Sequence, residues 1–437
     1  MIKKNLFIPL EVKSREFVSN LLLASESLDN NFRCYIGAKS SINRLINYNK
    51  SQNGVYFSKS PFLEKEYIKI KKKCQFFTIL DQELGPALSK HEIEMGLAAR
   101  KNLILPKYID SYFVIGNRIN EIVKKIYPEI NKAIKLTGWP RIDIWKNYNY
   151  LYNKKSNEIK NKYGDFILFS SDFSFLTKKN IQNHLDYLKS YDHKENDQSY
   201  IYAKKRAEIQ YQEFRKALKL FIILDKLDLK NKIIIRPHPA EDHIYWNKMK
   251  KKFKKIKVIF EGDISEWLYA CNGLMHRGCT TGVQAYISNI PTAYIITDEK
   301  NTRETLTFDV SQKINGLEEV KNFINNPKNF NEKINKKIFD EHILSNDNSS
   351  ASHMIIKDLL TLDIRQVKKI NLNFFDQIKE FVSGVKTEIR NKNIKIFKKF
   401  GQGINVQETT EYLKLIRKKY DFKVVKIYKN CLMIEKN

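Results

Sequence analysis

Several short stretches of this chain end an apolar run in residues that can do chemistry. The run 233–242, IIIRPHPAED, places Arg236 and His238 directly after three isoleucines, each followed by a proline. Pro237 and Pro239 remove backbone donors and restrict the chain, so they fix where the neighbouring side chains point. A guanidinium and an imidazole held together at a strand end suit recognition of a phosphate or carboxylate, or protonation of a leaving oxygen. The plainer alternative is a capped turn with a surface arginine and a satisfied histidine.

A second stretch, 275–285, reads MHRGCTTGVQA. A short strand leads into a turn rich in Gly and Thr, and a helix follows from about Val283. Gly278 and Gly282 allow a ligand close to the backbone. Thr280 and Thr281, with the N–H groups of the helix start, make an anion site. The stretch lacks the GxxxxGK[ST] pattern of a nucleoside-triphosphatase loop. Its alternative reading is a helix capped by threonine, with Cys279 packed as a small residue. Cys279 beside His276 also allows a thiol nucleophile, although a cysteine in such a turn usually packs.

The third stretch, FTILDQELGP at 77–86, ends in Asp81 and Glu83. Carboxylates at a strand tip can serve as a general base or act at a sugar carbon. Acids complementing a helix dipole are the common alternative. Cation binding by the Asp-x-Glu pair ranks lower, because no other acidic ligand cluster accompanies it. Ser170, Ser171 and Asp172 end a further strand, either as a helix cap or as a contact to a donor phosphate. In TGWPRID, 137–143, Gly138 and Pro140 form a turn in which Arg141 and Asp143 read as a structural pair.

The elements that must position these residues alternate in type. NLFIPLEV, FRCYIGA, GVYFS, CQFFTIL, SYFVIG and AIKLTG are strand candidates in the first 150 residues, with amphipathic segments between them. DFILFSS, KNKIIIRPHP, KIKVIFEG, GLMHRG and TAYIITD repeat the style after a polar, lysine-rich connection near 146–163. This pattern predicts two open α/β domains with parallel sheets. Ligands of such sheets sit beyond the carboxyl ends of the strands. The expected boundaries are 1–150, 160–350, and a basic, helical extension over 351–437 that ends in a hairpin turning at 429–430, either an appended module or a helix returning to the first domain plus an extension.

The chain of 437 residues carries a formal net charge of +29. Lysine is abundant everywhere and lacks the aromatic interleaving of a base-stacking platform, so no specific nucleic acid is expected. An anionic membrane surface or a phosphorylated substrate accounts for the charge equally well. The 5 cysteines are scattered without a CxxC pair, which argues against a disulfide framework and a zinc ribbon. No apolar run reaches the roughly 18 residues of a membrane span. The N-terminal stretch breaks at Pro9 and Glu11 before a secretory segment develops, so a cytoplasmic location is expected.

The order LDQELG, TGWPRIDIW, RPHPAE with Trp246, HRGCTTGVQA and NIPTAYI resembles the bacterial surface carbohydrate biosynthesis proteins, and IPLEVKSREF fits the same group. Those proteins look like GT-B glycosyltransferases related to Kdo transferases and, more distantly, to bacterial sialyltransferases. The resemblance covers roughly residues 5–300. It implies two Rossmann-like domains facing a central cleft. Glu83 or Asp81 would supply the carboxylate, with Glu83 preferred. His238 and Pro239 would contact the donor's phosphate, His238 assisting its departure, and Thr280 and Thr281 would hold the same phosphate. Arg236, Ser170, Ser171, His276, Gly278, Cys279 and Gly282 complete the expected donor site.

The donor would be CMP-linked, carrying a Kdo-like or other nonulosonic acid, with no metal and no further cofactor. The acceptor would be a glycan or lipid-linked glycan, and the enzyme would sit in the cytoplasm or peripherally on the inner membrane face. The chain departs from an acid-rich DEEGG-like run at Gln82 and Leu84, and Arg277 replaces a small polar residue. Similar strand-tip motifs occur in teichoic-acid polyol-phosphate transferases using CDP-linked donors and in the UDP-N-acetylglucosamine 2-epimerase fold. Both remain alternatives, as does a non-catalytic scaffold or nucleic-acid binder.

Overall fold

A computed structural model describes the chain except residues 83–84, 99, 101, 191–193, 240, 298–304, 331–335, 345–348, 373–374, 377, 380–381 and 383–402. It divides into two compact units. The first holds Met1–Gly85, Gly96–Leu151 and Asp340–Asn437, and the second holds Pro86–Met95 and Tyr152–Phe339.

The first unit is built on β1 (Lys3–Leu10), β2 (Phe32–Ala38), β3 (Val55–Ser58), β4 (Phe76–Leu80), β5 (Ser111–Val114) and β6 (Ile134–Leu136). They run parallel in the order β2-β1-β3-β4-β5-β6, so the order reverses beside β1. Nearly every residue of these strands is buried, which explains why they read as continuous apolar runs and not as alternating ones.

The second unit is built on β7 (Phe166–Ser170), β8 (Lys232–Arg236), β9 (Lys257–Val258), β10 (Gly273–His276), β11 (Thr292–Ile296) and β12 (Gln312–Asn315). Their order is β12-β11-β10-β7-β8-β9, all parallel. Renumbered within the unit this is 3-2-1-4-5-6, the doubly wound arrangement of nucleotide-binding sheets, and it reverses between β7 and β10. Side chains alternate between two cores. Ile167, Phe169, Ile233, Ile235 and Met275 fill one face, while Phe166, Leu168, Ile234 and Leu274 fill the other. Burial on both faces requires the helices found between the strands.

Of the two readings of the segment after 351, the structure follows the return to the first domain: its described parts belong to the first unit. β13 (Gln366–Val367) pairs with β1, and the hairpin of β14 (Phe422–Tyr428) and β15 (Cys431–Lys436) adds to the sheet through β15, antiparallel to β2. Without it β2 would present an open edge of unpaired backbone groups. The hairpin approaches so closely that a Cβ on Gly37 would lie 2.2 Å from the Asn430 carbonyl oxygen. Glu435 brings a carboxylate to buried Arg33 at 2.8 Å.

Helix Ala351–Leu360 is anchored in the same unit, its first N–H groups donating to Asp143 at 2.9 and 3.4 Å. Asp143 is therefore a helix cap, its pKa raised to about 6 by burial. Arg141 lies instead over Trp139 and Trp145, 4.7 and 5.0 Å from their rings. Residues 86–95, expected in the first domain, belong to the second unit, where Glu92 pairs with Arg206 at 3.2 Å.

Candidate functional site

In the second unit the tips of β7, β8 and β10 lie side by side, with Ser170 in register with Arg236 on one flank and His276 on the other. Three of the sequence candidates meet at the strand-order reversal. The Ser170 hydroxyl donates to Thr281 Oγ1 at 3.3 Å and lies 3.4 Å from Cys279 Sγ, and Cys279 and Thr281 are 3.1 Å apart. This small polar floor joins the end of β7 to the turn after β10. In that turn the N–H groups of Cys279 and Thr280 meet no protein acceptor among the described residues. Thr280 and Cys279 are half-buried. The following helix, Thr281–Ile287, is only 7 residues long, so the anion-binding capacity lies in the turn itself.

His276 shapes this turn and is enclosed by it. It is 0% exposed, and burial pushes its pKa down to about 3. Its Nδ1 accepts the Gly278 N–H at 3.0 Å, so the proton sits on Nε2, which donates to Ser311 Oγ at 2.9 Å. A Cβ on Gly282 would lie 2.4 Å from His276 Nε2, so the glycine is needed for the helix to pass over the imidazole. His276 therefore supports the turn from beneath. The arrangement offers no thiolate either, because burial raises the Cys279 pKa.

Arg236 is likewise drawn inward. It is 7% exposed, with Nη2 donating to the Gly262 carbonyl at 2.9 Å and Nη1 donating to the Glu261 carbonyl. Its guanidinium centre lies 5.2 Å from the Trp267 ring, and burial lowers its pKa to about 10. The arginine clamps the loop after β9. Arg277 forms a buried ion pair with Glu213 of helix Gln198–Leu224 and lies 5.8 Å from the Phe173 ring, so it is structural as well.

His238 lies half-buried just beyond β8, with its carbonyl accepting the Glu241 N–H at 2.9 Å, and Pro239 is exposed. Ser171 turns away from the floor and donates to both oxygens of Glu241 at 2.8 and 3.0 Å. Trp246 Nε1 donates to the same carboxyl at 2.6 Å. Glu241 stands in the RPHPAE motif, yet nothing in its sequence context signals that it is buried.

In the first unit, Asp81 is 4% exposed, 3.0 Å from Arg100 Nη1, and accepts the Tyr112 hydroxyl at 2.8 Å. Its carboxylate is bound inside the unit. Glu83 lies outside the described residues. A different set of charged groups stands where this sheet reverses, at the ends of β1 and β3. Lys59, just after β3, reaches Glu11, just after β1, at 2.9 Å and Glu16 at 3.4 Å. Glu16 folds back to accept the N–H groups of Glu11 and Val12, and Lys39 lies 3.8 Å from Glu11. Glu11 keeps part of its side chain exposed, at 32%. The sequence reading missed this group. Glu11 follows a strand as directly as Asp81 does, but strand order is invisible before folding.

A cavity of about 940 Å3 lies along β6 and helix Ala351–Leu360. Its lining includes the pairs His353 with Glu26 at 2.7 Å and Lys135 with Asp358 at 3.7 Å, together with Lys357. Among the described residues no helix is long and apolar enough to cross a membrane.

These features define two Rossmann-like units, each with polar residues at its strand-order reversal. No protein-family profile matches the chain, and no curated protein does. Solved structures similar to it include the wall teichoic acid polymerase TagF, at 12% identity over 82% of this chain and 89% of that one, with a TM-score of 0.46. Another is HepE of Anabaena in complex with UDP and glucose, at 12% identity, 87% and 100% coverage and a TM-score of 0.40. A third is the UDP-GlcNAc 2-epimerase of Methanocaldococcus jannaschii, at 12% identity, 82% and 99% coverage and a TM-score of 0.48. None of these scores reaches 0.5, so the fold assignment rests on the topology of the two sheets.

Proposed function

We propose that the chain is a nucleotide-sugar-dependent glycosyltransferase of surface carbohydrate assembly, with the GT-B pair of domains that the family resemblance implies. The observation that carries this reading is the joined tip of β7 and the 278–281 turn, where Ser170 meets Thr281 at the strand-order reversal of a 3-2-1-4-5-6 sheet. That is where open α/β sheets take their ligands. A donor phosphate fits the N–H groups of Cys279 and Thr280 and the Thr280 hydroxyl. His238 then protonates or steadies the departing phosphate oxygen. Such groups accelerate transfer by meeting charge as it develops on the leaving group. Arg236 and His276 hold the surrounding loops and do not themselves contact the donor.

The acceptor hydroxyl needs a base. Both Glu11 and Asp81 carry a cationic partner, but Glu11 keeps a third of its side chain exposed while Asp81 is enclosed by Arg100 and Tyr112, so Glu11 is the more accessible carboxylate for that task. The donor is read as CMP-linked, carrying a Kdo-like or related acidic sugar to a glycan on a lipid carrier. The net charge of +29 would draw the enzyme to the anionic cytoplasmic membrane face.

A thermal-shift screen of CMP, CDP, UDP and their sugar or polyol conjugates tests the reading. Stabilisation by CMP that is lost in His238→Ala supports it. A response only to CDP-polyols with a phosphodiester product would replace it with a polyol-phosphate transferase. Conversion of UDP-N-acetylglucosamine without an acceptor would replace it with an epimerase. No response to any nucleotide, or unchanged turnover in His238→Ala, overturns it.

A further inference from the structure

Glu241 has no part in the transfer chemistry above, yet it is the most deeply enclosed acid beside His238. It is 3% exposed, and among the described residues no cation pairs with it. Burying a carboxyl without a cation is costly, so its retention in a loop needs a reason. Its partners are the Ser171 hydroxyl, the Trp246 indole N–H and the Phe173 backbone N–H. Protonated, the carboxyl can give its O–H to the Ser171 oxygen while its other oxygen accepts the N–H groups, and ionised it accepts from all three. Through its own N–H the same residue closes the turn onto the His238 carbonyl at 2.9 Å. Trp246 is 1% exposed and packs against Phe214, which ties the assembly into the core.

We infer that Glu241 is the positioning residue of His238, holding the turn after β8 between the tip of β7 and the core. The inference rests on the reading that His238 faces the donor. The charged group facing Glu241 among the described residues is Asp172, at the end of β7. Burial first, then Asp172, pushes the Glu241 pKa up to about 8. The carboxyl is thus neutral in neutral solution, and a negative charge appears in the pocket as pH rises through about 8. Ionisation beside Asp172 then strains the turn that carries His238.

The test follows the His238 imidazole by NMR in histidine-labelled full-length protein, its signal identified by its absence in His238→Ala. In the native protein the signal shows an inflection near pH 8. In Glu241→Gln, which mimics the neutral carboxyl, that inflection disappears; in Glu241→Leu, which removes the contacts to Ser171, Trp246 and Phe173, the signal moves at neutral pH and any nucleotide stabilisation weakens several-fold while circular dichroism stays native. Should these variants fail to fold, Ser171→Ala removes one contact to the carboxyl, and the His238 signal then moves while its inflection shifts to higher pH. An unmoved His238 signal without an inflection near pH 8 overturns the inference. Because this signal is read without ligand, absent nucleotide binding would sink the donor reading while leaving the Glu241 result to stand or fall separately.

Discussion

The Ser170 hydroxyl lies 3.3 Å from Thr281 Oγ1, bridging the tip of the first strand of the second unit to the start of the helix that follows its fourth. The two residues are 111 positions apart in the chain. Their contact spans the place where strand order reverses, and it anchors the turn proposed to hold a phosphate. Ser170→Ala and Thr281→Val are each expected to weaken nucleotide binding by about 3- to 10-fold, the value of one hydrogen bond. Calorimetric titration measures this, and unchanged affinity in both variants would place the phosphate elsewhere.

The buried Arg277–Glu213 pair makes a prediction about stability alone. Removing one partner leaves a charge enclosed without its counterion, so Arg277→Met should cost about 3–5 kcal/mol in urea unfolding. Arg277→Met combined with Glu213→Leu should recover most of that loss. A double variant no better than the single one would contradict the pairing.

Asp81 and Glu11 separate structure from chemistry. Asp81→Asn weakens its contacts with Arg100 and Tyr112, and the melting temperature should fall clearly. Glu11→Gln should lower turnover by about 10²–10⁴-fold, the range of general-base catalysis, with little change in melting temperature. The reverse pattern would return the catalytic carboxylate to the acidic stretch at 81–83.

His276 predicts a pH dependence. Its folded pKa of about 3 lies below the unfolded value near 6.5, so the unfolded chain binds the extra proton between them. Stability contributed by the neutral imidazole is complete above pH 6.5 and declines as pH falls towards 3. In His276→Gln the melting temperature should fall less steeply between pH 6.5 and 4 than in the native chain. Parallel slopes would show that His276 titrates normally.

Much of the architecture was legible from periodicity. Runs such as FILFS and KIIIR carry enough apolar residues to be buried on both faces, and that requirement forces parallel strands covered by helices. β12 escaped notice because QKIN has only one apolar residue, and it is held by pairing with β11. The hairpin turning at 429–430 was visible, but its destination was not. Pairing with β2 depends on which edge remains open after the other strands assemble.

The candidate site was legible in its location and less so in its roles. Arg236, His276 and Asp81 were each marked by type and place at a strand end. The tertiary structure turns all three inward, because carbonyls, a glycine-bearing turn and an arginine surround them more closely than solvent does. Side-chain direction at a strand tip depends on loops contributed by distant segments, and one chain position carries no record of them. Residue type and spacing determined that two parallel sheets would form and that polar residues would cap their strands. Tertiary structure decided which caps meet at a strand-order reversal, because strand order comes from packing all the helices and strands together. Only then do Ser170 and Thr281 become neighbours, and the glutamate of RPHPAE becomes a buried carboxyl bound to Ser171 and Trp246.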